Sequence, residues 1–335
     1  MDRERRCLQV GAIVVVFSVF LRLISTGAIT SFIRQPWVFS LVLLSETGRW
    51  VSPAEETVVF TETEEKAPPS EIATPEVDNP PQMVSFSQGD LDLVEVTSAC
   101  SYEVDLTECL QMPLAWDLTQ NGPAVLIVHS HGSESYKKTE NYTESTPYRT
   151  LDKDYNVVSI GAYLAELLET GGIGVIHDTT IHDHPSYNNS YIESRDAVNR
   201  YLEEYPSIRM VLDIHRDAVE TADGKQKGYT VSVNGQDTAQ LMMVVGTDAS
   251  GRNHPDWQDN MALAVKLHVQ LQKLAPGICR PISFRTQRFN QDLSAGAMLI
   301  EVGAAGNTRQ EALLATEQLA QGILSLAYGT EGEIY

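Results

Sequence analysis

The sequence predicts an α/β fold, a mostly parallel sheet with helices on both faces and an antiparallel edge excursion. Three observations lead there. Short apolar runs at Val125–Val128, Met210–Ile214 and Ala297–Val302 have the length and continuity of strands buried on both faces. Stretches of helical period separate them, with regular loops between. Each run also ends in a residue able to bind metal or move protons, and sites on open α/β sheets form where strands end.

In chain order, Met83 to about Asp117 holds only short strand-like pieces such as Leu91–Thr97, a lead-in that packs on the domain edge. The strand Val125–Val128 follows, then a polar loop from His131 to about Tyr155. A helix starts near Asn156, with apolar Ile160, Leu164, Leu167 and Leu168 three and four apart, and Gly171-Gly172 stops it. Gly174–Ile176 is the next strand, and His177–Pro185 is the loop at its end. A helix from about Ser190 to Tyr205 is closed by Pro206, and Arg209–Ile214 is a central strand. Gly228–Val233 and Ala239–Val245 flank Asn234-Gly235 and read as a strand pair joined by a turn. A helix over Trp257–Leu274 ends at Pro276-Gly277. The strand from Ala297 feeds the last helix, Glu311 to about Leu326, with Asn307 as its expected cap and Gln310 as capping-box partner.

Ahead of this domain, taken as residues 83–330, the composition differs. Arg3, Arg5 and Arg6 precede an apolar run from Leu8 to Ile24, the short end of what spans a bilayer. Residues 1–50 are therefore read as a cytoplasmic stub, a transmembrane anchor and a membrane-proximal segment. A cleaved signal peptide, with small residues at Ser25–Ala28, is the competing reading. Residues 51–82 form an acidic, proline-rich linker: eight acidic residues and one lysine lie between Val51 and Pro81. Such a segment buries too little apolar surface to fold. The expected location is the cell membrane, single-pass, with the N-terminus in the cytoplasm and the domain outside. A net charge of −21 leaves no basic stripe for phosphates, which excludes nucleic acid as a partner. No GxxxxGK, GxGxxG or GxSxG motif supports nucleotide or serine-hydrolase chemistry. Cys100 and Cys109 are near enough in sequence to pair, with the pairing left open.

The strand ends supply the candidate site. His131 and Glu134 form an H-x-x-E pair beyond the first strand, and His215 follows the central one. Three protein ligands with one position left for water is the usual arrangement of catalytic zinc. Glu301, ending a third strand, is the expected acid–base residue. Arg216 is read as binding a substrate carboxylate or a developing oxyanion. Asn290 and Gln291 are read as hydrogen-bonding a peptide. His129 is an alternative ligand or a partner that orients one, and His177 and His182, on the next loop, are further alternatives. From the residues alone, the expectation is an anchored, extracytoplasmic, metal-dependent amide hydrolase.

Five blocks add a resemblance. They are VLIVHSHGSESY from Val125, DKDYNVV from Asp152, IHDTTIHDHPSY from Ile176, VLDIHRDA from Val211, and LIEVG from Leu299 followed by NTRQEA. Together, over roughly residues 85–330, they resemble the stage II sporulation protein P family. More distantly the chain is similar to zinc-dependent N-acetylmuramoyl-L-alanine amidases, whose two histidines and late glutamate match His131, His215 and Glu301. Those amidases take another ligand from a glutamate opening the first helix, where this chain has Asn156. Glu134 is the substitute, with the His177–His184 loop as fallback. The resemblance implies a sporulation-specific peptidoglycan hydrolase that uses Zn2+. It would cut the bond between N-acetylmuramic acid and L-alanine, and also peptide cross-links, during septal thinning and engulfment. It implies stage II sporulation proteins D and M as partners. The alternatives are a zinc carboxypeptidase on wall peptides and a non-catalytic wall-binding scaffold module.

Overall fold

A computed structural model describes residues 85–329 except 115 and 116. The anchor and linker expected over residues 1–82 lie outside the described residues. Among the described residues, no helix is long and apolar enough to cross a membrane.

Seven strands form one sheet in the order β1-β8-β7-β9-β4-β2-β3. These are β1 (Val96–Ser98), β2 (Pro123–Val128), β3 (Gly174–His177), β4 (Met210–Asp217), β7 (Leu241–Val245), β8 (Ile282–Phe284) and β9 (Ala297–Ala304). All neighbours run parallel except β7 and β9. The antiparallel pairing thus lies inside the sheet and not at its edge, because β8 and β1 extend the sheet beyond β7.

The expected turn at Asn234-Gly235 is present, but its partner strand is different. β5 (Thr230–Val233) pairs with β6 (Gln236–Ala239) in a separate two-stranded sheet. The apolar run after it, β7, joins the main sheet instead, since burying Leu241, Met243 and Val245 needs neighbours on both sides.

The helices divide unevenly. α1 (Leu106–Gln111), α2 (Val157–Thr170), α4 (Trp257–Leu274) and α5 (Arg309–Tyr328) build the large core with Val125, Ile127, Leu212, Ile214, Met298 and Ile300. Among the described residues, α3 (Ser190–Glu204) is the one helix on the opposite face, over Leu126, Val128, Val211 and Ala297. Side chains alternate along a strand, so each strand feeds both layers. The face carrying α3 is left open over β9, β7 and β8, and that opening is where the cleft described below lies.

Local chemistry explains the helix ends. The Asn156 side chain accepts the Val158 N–H and caps α2. It also donates to the Thr150 carbonyl at 3.1 Å, so it is spent on structure. α5 is capped by Thr308 with Glu311 closing the capping box, not by Asn307 and Gln310. Asn307 instead accepts from Ala304 N–H and Tyr229 N–H, tying the end of β9 to the start of the hairpin. The buried Lys266 of α4 donates to the carbonyls of Cys109 and Leu110 at the end of α1, where the helix dipole favours a cation. Cys100, Cys109 and Cys279 are free thiols.

Candidate active site

Strand register sets the centre of the site. β4 and β9 are parallel with His215 opposite Glu301, and β2 and β4 place Val128 opposite Asp213. Asp213, His215 and Glu301 therefore share the open face, two positions apart on one strand and across from each other on the next. His131 and Glu134 reach the same place from the turn after β2.

His215 is buried and held from both sides. Its Nε2 lies 2.8 Å from Asp213 Oδ1 and 2.8 Å from Ser130 Oγ. Its Nδ1 is 3.5 Å from Glu134 Oε2. Burial works against a charge on this ring, but Asp213 and Glu134 raise its pKa well above the ordinary value. With Nε2–H donated to Asp213, it is the Nδ1 proton, facing Glu134, that a cation would displace, and the lone pair so freed completes the carboxylate–histidine arrangement that presents an imidazole to a metal.

Glu134 is fixed by two arginines. Its Oε2 accepts the Arg216 backbone N–H at 3.2 Å, and its Oε1 lies 3.2 Å from Arg149 Nη2 and 3.4 Å from Arg216 Nη1. Burial opposes ionisation here, yet Arg216 and His215 hold the carboxyl well below the usual range. Arg149 also grips Asp183, which accepts the Ser133 N–H and hydroxyl and so braces the turn bearing His131 and Glu134.

His131 stacks on Tyr187, with centroids 4.5 Å apart, and meets Tyr191 and His215 edge-on, each at 5.4 Å. Its Nδ1 is buried with no hydrogen-bond partner among the described residues. Burial, and then His215, lowers its pKa. Glu301 Oε2 is likewise buried and unpartnered. Burial pushes the Glu301 carboxyl up to about 8, with His215 pulling against it and Glu134 and Asp217 adding to it. These residues border a cleft of about 240 Å³ whose floor is Met242, Val244 and Leu299 and whose wall includes Tyr191 and Phe289.

The structure brings together His131, Glu134, His215, Arg216 and Glu301 along one cleft, and it gives the other expected site residues partners elsewhere. His129 follows Val125 and Ile127 onto the opposite face. There its ring bonds the Ile214 carbonyl at 2.9 Å and His177 Nε2 at 2.8 Å. Gly161 of α2 makes room, since a Cβ there would lie 2.6 Å from the His129 ring. His177 is thus the partner of His129, not of the site, and His182 is closed on Asp178 at 3.0 Å. The Arg216 guanidinium lines the cleft but is engaged by protein groups: besides Glu134 it donates to the carbonyls of Ser135 and Tyr148. Gln291 is buried and spent on Gly246 N–H and the Val244 carbonyl. Asn290, at φ 58°, bonds the Tyr191 carbonyl and Ser194 hydroxyl. Both are therefore scaffold for Phe289, which sits at φ 49° on the cleft wall.

Sequence reading missed Asp213, Ser130, Arg149 and the aromatic wall, and had Asp183 only as part of the polar loop His177–His184. Asp213 had a signal, an acid two residues before His215 inside an otherwise apolar strand. Arg149 had none, because its role depends on a contact with Asp183, 34 residues away.

Among the described residues, no group of three or more His, Cys, Asp or Glu is drawn together as a complete metal cluster. The donor chemistry still fits a divalent cation. Two imidazoles and a carboxylate line one cleft, His131 Nδ1 has no hydrogen bond and only Asp183 Oδ2 at 3.9 Å, and His215 Nδ1 and Glu134 Oε2 face each other at the limit of hydrogen-bond distance.

The family model for stage II sporulation protein P matches residues 48–324. The chain is 28% identical to stage II sporulation protein P of Bacillus subtilis (strain 168) over 204 residues. That match covers 58% of this chain and 48% of the relative, so it spans about half the relative's length. Among solved structures, the N-acetylmuramoyl-L-alanine amidase AmiC2 of Nostoc punctiforme is 16% identical, with a TM-score of 0.37. It covers 62% of this chain and 98% of its own. The CwlD amidase of Clostridioides difficile, in complex with the GerS lipoprotein, is also 16% identical with a TM-score of 0.37. It covers 62% and 95%. With the family match running over most of its length, the chain belongs to the stage II sporulation protein P family.

Proposed function

We propose that this chain is a peptidoglycan hydrolase, a zinc-dependent amidase that cleaves the bond between N-acetylmuramic acid and the L-alanine of the stem peptide. The observation that carries the reading is the meeting of two imidazoles and an ionised carboxylate beside an unpartnered glutamate, at the open end of one sheet. Family membership agrees with it. The same reading places the domain outside the membrane during sporulation, tethered by the N-terminal segment, with stage II sporulation proteins D and M as partners.

His131, Glu134 and His215 would hold the ion. Bound there, zinc supplies a Lewis acid for the amide carbonyl and makes water more acidic. The protein does the rest. Asp213 fixes the tautomer of His215, and Arg149 and Arg216 keep Glu134 ionised and in place. Glu301 takes a proton from water as the water oxygen bonds to the carbonyl carbon. It returns that proton to the departing nitrogen as the C–N bond breaks, giving a carboxylic acid on the sugar and a free L-alanine amine. Its carboxyl is proton-loaded at neutral pH in the metal-free chain, and a nearby cation favours the ionised form that accepts a proton.

Mass analysis of digested peptidoglycan tests this. Intact stem peptides should be released, and Glu301→Gln should abolish release while zinc still binds. Loss of a single terminal amino acid would instead make the chain a carboxypeptidase. A fully active Glu301→Gln would remove the proton-transfer assignment.

A further inference from the structure

We infer that Arg285 is the anion-recognising residue of the cleft and takes a carboxylate of the peptide on the leaving side of the cleaved bond. The inference rests on the amidase reading above. Arg285 lines the same cleft as His131, Glu134, His215 and Glu301. It follows β8, whose Ser283 also lines the cleft, while Ile282 and Phe284 point into the core.

The other arginines around the site are spent. Arg149 and Arg216 hold Glu134, and Arg280 holds Asp217. Arg195 and Arg288 both hold Asp292. The exposed Arg285 side chain has no hydrogen bond or ion pair with any described residue. Its backbone, by contrast, is pinned. Its N–H donates to the Val245 carbonyl at 2.8 Å, and its carbonyl accepts the Thr247 hydroxyl at 2.9 Å. A fixed backbone with an unpaired guanidinium presents a cation to whatever enters.

Position and charge say what enters. The cleft's other charges are matched, Glu134 by Arg149 and Arg216 and Asp217 by Arg280, so in a chain of net charge −21 Arg285 is the cleft arginine left to meet an anionic peptide. β8 is two strands from β9, roughly 10 Å of sheet width, over the apolar floor of Met242, Val244 and Leu299. An extended peptide covers that span in about three residues. With the amide at Glu301, a carboxylate one to three residues along reaches Arg285. In a stem peptide that group is either the free α-carboxylate of the second residue, which is linked through its side chain, or a carboxylate further on.

The test is calorimetric binding of the free stem peptide to the purified zinc-loaded protein. The peptide lacks the sugar–peptide bond and so is not turned over by the proposed reaction. Three forms are compared: unmodified, with the second residue's α-carboxylate as a carboxamide, and with the C-terminal carboxylate as a carboxamide. Wild type should lose about ten-fold in affinity for one of the two amidated forms, which identifies the carboxylate. Arg285→Met should bind all three at that weakened level, and Arg285→Lys should recover part of the discrimination. Equal affinities of wild type and Arg285→Met, no discrimination by wild type, or no binding of the free peptide each overturns the inference. Failure of the amidase reading shows separately, as a protein that discriminates among the peptides but releases none from peptidoglycan.

Discussion

Asp213 is the residue whose loss most sharply tests how the site is built. Its Oδ1 accepts from Ser130 N–H and from His215 Nε2, both at 2.8 Å, and the carboxylate is buried. Ser130 Oγ also lies 2.8 Å from the same ring nitrogen. Asp213→Asn can keep both bonds through its amide oxygen, so the ring stays oriented and only the negative charge is lost. Asp213→Ala leaves the Ser130 hydroxyl as the ring's partner. A hydroxyl both donates and accepts, so it no longer dictates which nitrogen carries the proton. The lone pair that a cation needs at Nδ1, facing Glu134, is then freed in only part of the population. Loss of a carboxylate behind a metal-bound histidine costs 10–100-fold in affinity, or about 1.4–2.8 kcal/mol. The asparagine should fall at the lower end and the alanine at the upper. Ser130→Ala removes only a neutral partner and should change affinity less than three-fold. Zinc competition against a calibrated chelator reads all three variants, with thermal unfolding as the control for folding. Wild-type zinc affinity in Asp213→Ala, or weaker binding by the asparagine than by the alanine, would refute the tautomer argument.

Two further predictions concern the scaffold. Gly161→Ala improves helix propensity by about 1 kcal/mol, but its Cβ would lie 2.6 Å from the His129 ring and 2.8 Å from His177. Overpacking costs about 1–3 kcal/mol and displacing the ring endangers two buried hydrogen bonds, so the net effect should be a lower Tm. Adding His129→Ala should relieve the clash non-additively, whereas an unchanged or higher Tm in the single variant would contradict the packing described here. His268 is buried in α4, and burial lowers its pKa from the ordinary 6.5 to about 4. The unfolded chain takes that proton first, so stability is complete above pH 6.5 and falls as pH drops toward 4. This one group accounts for about 3 kcal/mol over that window. Urea midpoints at pH 7 and pH 4.5 should differ less for His268→Leu than for wild type, and an equal difference would show that His268 is not involved.

How far the sequence could be read follows from the range of the interactions involved. β2, β4 and β9 were legible because burial on both faces writes a continuous apolar run into each. α2 was legible from its period and from Gly171 at its end. β8 was not, since it has three residues and depends on pairing with β7 and, across more than 180 residues of chain, with β1; the strand-like run Leu91–Thr97 meets β1 only at Val96 and Thr97, because Gln88–Leu93 winds into a 3-10 helix. β6 was hidden by Gln236, Asp237 and Thr238, whose polarity suits an exposed hairpin and reads as loop. Among site residues, His131, Glu134, His215 and Glu301 announced themselves by residue type at strand ends. Arg216 was misassigned because a charged residue beside a histidine looks available. Only its bonds to Glu134, Ser135 and Tyr148 show that it is consumed.

The ambiguity between His129 and His131 has a physical origin in where the strand stops. Residues two apart share a face only while the chain stays extended, and β2 ends at Val128. His129 still obeys the strand's alternation and follows Ile127 to the α2 face, where Gly161 leaves it room. His131 comes after the chain has turned, and Asp183 secures that turn by accepting from Ser133. The two histidines therefore part to opposite sides of the sheet, and each is needed there. On one side, His129 bonds the Ile214 carbonyl and so fixes the backbone just before His215. On the other, His131 meets His215 edge-on, with an unpartnered nitrogen. A change at His129 should thus reach the site through the position of His215, without His129 entering the cleft.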